Sequence, residues 1–145
     1  MAAKEDAISM LKDDHREVEE LFKRFEAATT SRQQQSIATE ICTALRLHTE
    51  IEDELFYPAV RDAIDETELV DEAEVEHQSA EYLIAQIESG DLSTDMFRAS
   101  VMVLMEYVQH HIEEEEKEMF PKVKKSKLDL TALGESMKAA KSERV

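Results

Sequence analysis

His48-Thr-Glu-Ile-Glu52-Asp-Glu-Leu-Phe-Tyr-Pro58 returns 63 residues later as His111-Ile-Glu-Glu-Glu115-Glu-Lys-Glu-Met-Phe-Pro121. Both stretches place Glu four residues after His, an aromatic nine after it and Pro ten after it. Residues four apart lie one turn up the same face of an α-helix. Imidazole and carboxylate are shared ligands of iron, zinc and manganese. Two such turns in one chain point to a metal site built between helices.

The rest of the chain supports helices as the frame. It has 145 residues, two Gly and two Pro, and is rich in helix formers. This length predicts a single domain with a real core over residues 1–145. The formal net charge is −17. Such a surface repels nucleic acid and anionic membranes, so neither is an expected partner. Most of the acidic excess is read as a solvated face. Cys42 is the sole cysteine, which rules out an internal disulfide and fits a small core residue. The N-terminal stretch lacks the apolar run of a signal peptide, and no stretch approaches the roughly 20 apolar residues of a membrane span. The expected location is cytoplasmic.

Apolar residues recur at steps of three and four. The spacing predicts helices over about 4–28, 32–64, 72–88 and from Ser93 or Thr94 onward, with Thr29-Thr-Ser31 and Ser89-Gly90 as breaks. Pro58 and Pro121 are expected to kink or interrupt the second and fourth helices. The expected fold is all-α, an up-down-up-down four-helix bundle over about residues 4–125. A C-terminal extension over about 126–145 carries a short helix, about 130–141, that covers one end.

The inward stripes then collect the histidines. They run 8, 11, 15, 18, 22, 25 in the first helix and 37, 41, 45, 48, 52, 55 in the second. They run 70, 73, 77, 81 (or 80), 84, 87 in the third and 97, 101, 104, 108, 111, 115 in the fourth. His15, His48, Glu52, His77, Glu81, His111 and Glu115 are therefore the candidate metal ligands. A lone inward His is usually a hydrogen-bonded core residue. Buried carboxylates, however, cost several kcal/mol each without compensation. Seven such groups in one core are best explained by two cations that replace the lost hydration. At about 1.5 Å per residue, His15 and His48 fall within about one turn of the same height. His110 lies about 100° round the helix from His111, on a flanking row with Val103, Tyr107 and Glu114. Glu116 is second choice to Glu115. A ferritin-like Glu-x-x-His pair occurs at Glu74–His77 without a second copy, and a structural zinc site would favour four ligands, often with Cys. Tyr57 and Tyr107 are candidates to support the ligands, core packing being their plainer role.

His15, the His48–Glu52 turn with Phe56-Tyr57-Pro58, His77, and the His111–Glu115 turn with Met119-Phe120-Pro121 together resemble the hemerythrin-like, or HHE cation-binding, family. The resemblance spans about residues 5–125. It implies a four-helix bundle holding two Fe ions in an oxo-bridged di-iron centre, with Glu52 and Glu115 as bridging carboxylates. It implies an open iron position for dioxygen, hydrogen peroxide or nitric oxide. The oxygen carriers of that family have His-x-x-x-His in the third helix, where this chain has His77-Gln-Ser-Ala-Glu81. They also place the fourth-helix acid five residues after its His, which leaves Glu115 against Glu116 open. With Glu81 as a ligand, a hard anionic donor would replace an imidazole and favour ferric iron. Redox or oxygen sensing, peroxide breakdown of a catalase- or peroxidase-like kind, or iron handling is then expected ahead of reversible carriage. The alternative is a stand-alone, metal-stabilised sensor or interaction module without catalysis.

Overall fold

The computed structural model describes residues 5–144 of the chain. Four long helices form the bundle: α1 (Ala7–Ala27), α2 (Ser31–Ile51), α4 (Glu68–Glu88) and α5 (Thr94–Glu114). Short helices α3 (Tyr57–Ala63) and α6 (Phe120–Lys125) continue the lines of α2 and α5, and α7 (Leu130–Arg144) closes the chain. Helix starts follow local chemistry. Asp6 and Ser9 cap α1 reciprocally, Thr30 caps α2, and Ser93 caps α5 by accepting from the Met96 N–H at 3.2 Å. Gly90, at φ +77°, provides the left-handed residue after α4. Three boundaries differ from the expectation. Helix α1 starts at Ala7 rather than about residue 4, because Asp6 caps it; residue 4 itself lies outside the described residues. Helix α4 starts at Glu68, four residues before the expected Glu72, because Val70 is already a core residue. Helix α7 runs to Arg144 because its last turn is held by ion pairs.

The two prolines act in a specific way. Each is preceded by one π-helical turn, Glu52–Phe56 before Pro58 and Glu115–Met119 before Pro121. Proline lacks an N–H, and its ring clashes with the carbonyl four residues back. A wider turn relieves that clash. The Tyr57 N–H donates to the Glu52 carbonyl, and the Phe120 N–H to the Glu115 carbonyl. Five residues along a regular α-helix, Tyr57 would point about 140° away from Glu52. The π turn closes that gap, so Tyr57 returns to the inner face and is fully buried. π turns are frequent at functional sites.

The core has two apolar halves. One is built around Phe22, Phe25, Ile41, Leu45, Ile84 and Leu104, the other around Leu11, Phe56, Val60, Val70, Phe120 and Met137. Along every long helix an inward histidine falls between the two: His15 after Leu11 and before Val18, His48 after Leu45, His77 between Ala73 and Ala80, and His111 after Val108. The bundle therefore carries one polar layer enclosed by hydrocarbon above and below. Cys42 is buried in the first half, and burial pushes its thiol up to about 11, which suits a packing role.

Candidate metal centre

The layer contains His15, His48, Glu52, His77, His111 and Glu115. Glu52 and Glu115 are 0% and 2% exposed, where isolated carboxylates do not belong. Each imidazole turns Nε2 toward the centre. His15 Nε2 lies 3.2 Å from Glu115 Oε1, and His48 Nε2 lies 3.0 Å from Glu52 Oε1. His77 Nε2 lies 3.2 Å from the same Glu52 oxygen, and His111 Nε2 lies 3.0 Å from Glu115 Oε2. Each carboxylate thus faces histidines of two different helices, which is the placement a bridging ligand needs.

These close approaches are not all hydrogen bonds. His15 Nε2, His48 Nε2, both Glu52 oxygens and Glu115 Oε1 are buried without a hydrogen-bond partner. Native cores rarely leave such atoms orphaned. Donor atoms that converge without satisfying one another fit a cation between them. They divide into two groups, His15–His48–Glu115 and Glu52–His77–His111, each with its ligand atoms within 4.8 Å of one another.

A second layer holds the rings. His48 Nδ1 meets Asp14 at 2.9 Å, His77 Nδ1 meets Asp53 at 2.8 Å, His111 Nδ1 meets Glu76 at 2.8 Å, and His15 Nδ1 meets Glu116 at 2.6 Å. An N–H donated outward at Nδ1 leaves the Nε2 lone pair directed inward, the tautomer a metal requires. Each outer acid is the immediate sequence neighbour of an inner residue, and each reaches the next histidine round the ring. Asp14 of α1 serves α2, Asp53 serves α4, Glu76 of α4 serves α5, and Glu116 returns to α1. The sequence reading missed Asp14, Asp53 and Glu76 in this role. An acid directly beside an inward ligand was the available signal, hidden by the overall acidity.

Tyr57 adds a further oxygen. Its hydroxyl donates to Glu115 Oε2 at 2.5 Å and lies 3.2 and 3.3 Å from the Nε2 atoms of His77 and His111. Burial and the neighbouring Glu115 and Glu52 hold this phenol well above its ordinary pKa. Burial lowers the histidine pKa values, but the carboxylates reverse that effect. Glu52 and Asp14 lift His48 to about 10, and Asp53 and Glu52 lift His77 to about 9. Glu115 and Glu76 hold His111 well above its usual value. Burial raises Glu115, while His111 and His15 outweigh it and hold the carboxyl well below its normal range. Protons favoured on His48, His77 and His111 thus offset buried negative charge, a role that a cation would take over.

The family model for the hemerythrin HHE cation binding domain matches residues 6–123. The chain belongs to this family. A crystal structure of a hemerythrin HHE cation binding domain-containing protein from Mycobacterium kansasii is similar, with a TM-score of 0.80 and 25% identity. The match covers 96% of this chain and 86% of that one. No curated protein matches the chain. As an HHE domain the protein has a cation-binding fold, and its His and Glu clusters are groups that could hold metal ions.

Six of the seven sequence candidates come together in this HHE domain. Glu81 does not. It is exposed, because the inward stripe of α4 steps from His77 to Ala80 and Ile84, and residue 81 falls outside it. Glu115 and Glu116 differ in depth: Glu115 faces the centre, and Glu116 backs His15. His110 is exposed and pairs with Glu114 at 2.9 Å, as its flanking row suggested. Tyr107 is 51% exposed and makes no hydrogen bond to the inner histidines, whereas Tyr57 is part of the layer. Among the described residues no helix is long and apolar enough to cross a membrane.

Proposed function

We propose that the layer holds two iron ions and that the protein reacts with dioxygen, hydrogen peroxide or nitric oxide. The observation that carries this reading is the set of four inward Nε2 atoms around two orphaned carboxylates, each facing two helices. His15 and His48 would hold one ion, His77 and His111 the other, with Glu52 and Glu115 spanning both. All these donors are nitrogen and oxygen, which suits iron and provides no thiolate for a zinc-type structural site. Bound iron would supply the redox chemistry, and the apolar halves would keep bulk water from it. A cavity of about 30 Å³ lies against His15, His48, His77 and His111, walled by Ala80 and Val108 among others.

Metal analysis after iron-supplemented expression is the primary test. About two irons per chain with a ferric visible spectrum are expected; a metal-free product sinks the reading. Release of oxygen on addition of hydrogen peroxide distinguishes peroxide breakdown from binding or sensing.

Glu81 no longer supplies the reason to expect ferric iron, and Tyr57 takes its place. Its phenol oxygen lies 3.2 and 3.3 Å from the Nε2 atoms of His77 and His111, and a bound cation that displaced the phenol proton would gain it as a third donor beside them. Phenolate is also a hard, anionic donor. Tyr57→Phe is expected to keep the iron but lose a phenolate-to-ferric absorption band and raise the reduction potential. An unchanged visible spectrum excludes Tyr57 from the ligand set.

A further inference from the structure

We propose that α7 is a clamp on the metal centre, with Lys141 positioning His48 through Asp14, so that metal is held tightly only while α7 is docked. The proposal rests on the metal reading above and concerns residues beyond the family match, which ends at 123.

The seat of α7 is shape-specific. At Gly134 a Cβ would stand 2.8 Å from the Ala7 backbone N and 2.9 Å from the Asp6 carbonyl carbon, so the two backbones touch at the start of α1. Met137, three residues on, is buried in the same apolar half as Phe56 and Tyr57. One turn later Lys141 Nζ donates to Asp14 Oδ1 at 2.7 Å, and the other oxygen, Asp14 Oδ2, meets His48 Nδ1 at 2.9 Å. Arg144 then reaches Glu50 at 3.4 Å and also Glu54, the two acids that flank Glu52. Helix α7 therefore braces one inner histidine and spans the turn that carries one inner carboxylate.

An exposed or half-exposed ion pair contributes little to stability, about 0–1 kcal/mol. Its effect on a metal can be larger, because Asp14 orients His48 and loss of a group that orients a ligand costs about 10–100-fold in affinity; Lys141 acts one contact further out and contributes part of that. The clamp also predicts a sign. Taking a positive charge away from a cation site should tighten binding by Coulomb's law. Loss of a positioning residue should weaken it.

The test compares the full chain with Lys141→Met, Lys141→Arg and Lys138→Met, in release of iron to a coloured chelator and in the visible spectrum. Lys138 is exposed on the same helix, so its loss removes the same charge from α7 while leaving the Lys141–Asp14 contact in place. Lys141→Met is expected to lower iron affinity, by less than the roughly 10–100-fold that loss of the Asp14 contact itself would cost, and to shift the spectrum, with Lys141→Arg restoring both and Lys138→Met leaving both near wild type. Helicity and the melting point of the metal-free protein should be equal in all four. Iron held equally or more tightly in Lys141→Met overturns the clamp, as does an equal loss in Lys138→Met. Failure of the wild-type chain to take up iron overturns the metal reading itself, and the clamp with it.

Discussion

Glu52→Ala is expected to strip the protein of metal and to lower its stability sharply. One oxygen of Glu52 faces His48 at 3.0 Å and His77 at 3.2 Å, and neither Glu52 oxygen has a hydrogen-bond partner. Removal of this side chain takes a bridging candidate from both halves of the site. The loss of affinity should exceed the roughly 10–100-fold caused by loss of a supporting group. Metal bound only by the native state is folding free energy, so stability falls with it. Even without metal, breaking a buried charge pair costs about 3–5 kcal/mol, because His48 and His77 lose the carboxylate that compensates them and must stay buried uncompensated or release their protons. At about 2–4 °C per kcal/mol for chains of this size, Tm should fall by roughly 10 °C. Glu52→Gln preserves the volume and separates the two effects: the fold should persist while the metal is lost. Metal analysis with thermal melts reads both. Wild-type metal content in either variant removes Glu52 from the ligand set.

The second large effect concerns pH. In the metal-free protein, His48 titrates at about 10 and His77 at about 9, against about 6.5 for an unfolded histidine. A raised native pKa stabilises fully below the unfolded value. That contribution is lost as pH rises from about 6.5 through 9 to 10, because the unfolded chain releases its protons first. Each such group gives a slope of up to about 1.4 kcal/mol per pH unit across that window. The chelated protein should therefore melt at a progressively lower temperature between pH 7 and pH 10. The metal-loaded protein should not follow this slope, since cations take the place of the protons. For the same reason, metal uptake at pH 7 should release protons, seen as a dependence of calorimetric heat on the buffer used. A chelated protein whose Tm is flat or rising from pH 7 to 10 contradicts the charge state assigned to the layer.

Much of the site was legible before the fold. His15, His48, Glu52, His77, His111 and Glu115 stood on inward stripes, and the structure brings them into one layer. Periodicity is a reliable guide where a helix is regular and its neighbours are apolar, as in α1 and α2. It failed at Glu81, because α4 offers both 80 and 81 to the same turn. Packing chose the smaller Ala80, leaving Glu81 in water. It also could not separate Asp14, Asp53 and Glu76 from the general acidity, since their role depends on which helix lies next to which.

The doubled His-x-x-x-Glu turn with its aromatic and proline is a local property, and so the sequence alone determined that two helices each carry an inward His and Glu one turn apart and end in a disturbed turn. Helix formation and the spacing of side chains on one face depend on residues a few positions apart. Only the tertiary structure decided that Pro58 widens the turn so that Tyr57 enters the layer, that four outer acids close a ring round the histidines, and that Lys141 reaches Asp14 from the far end of the chain. Those are contacts across 20 to 127 positions of sequence, set by helix packing and by the choice among nearly equivalent faces.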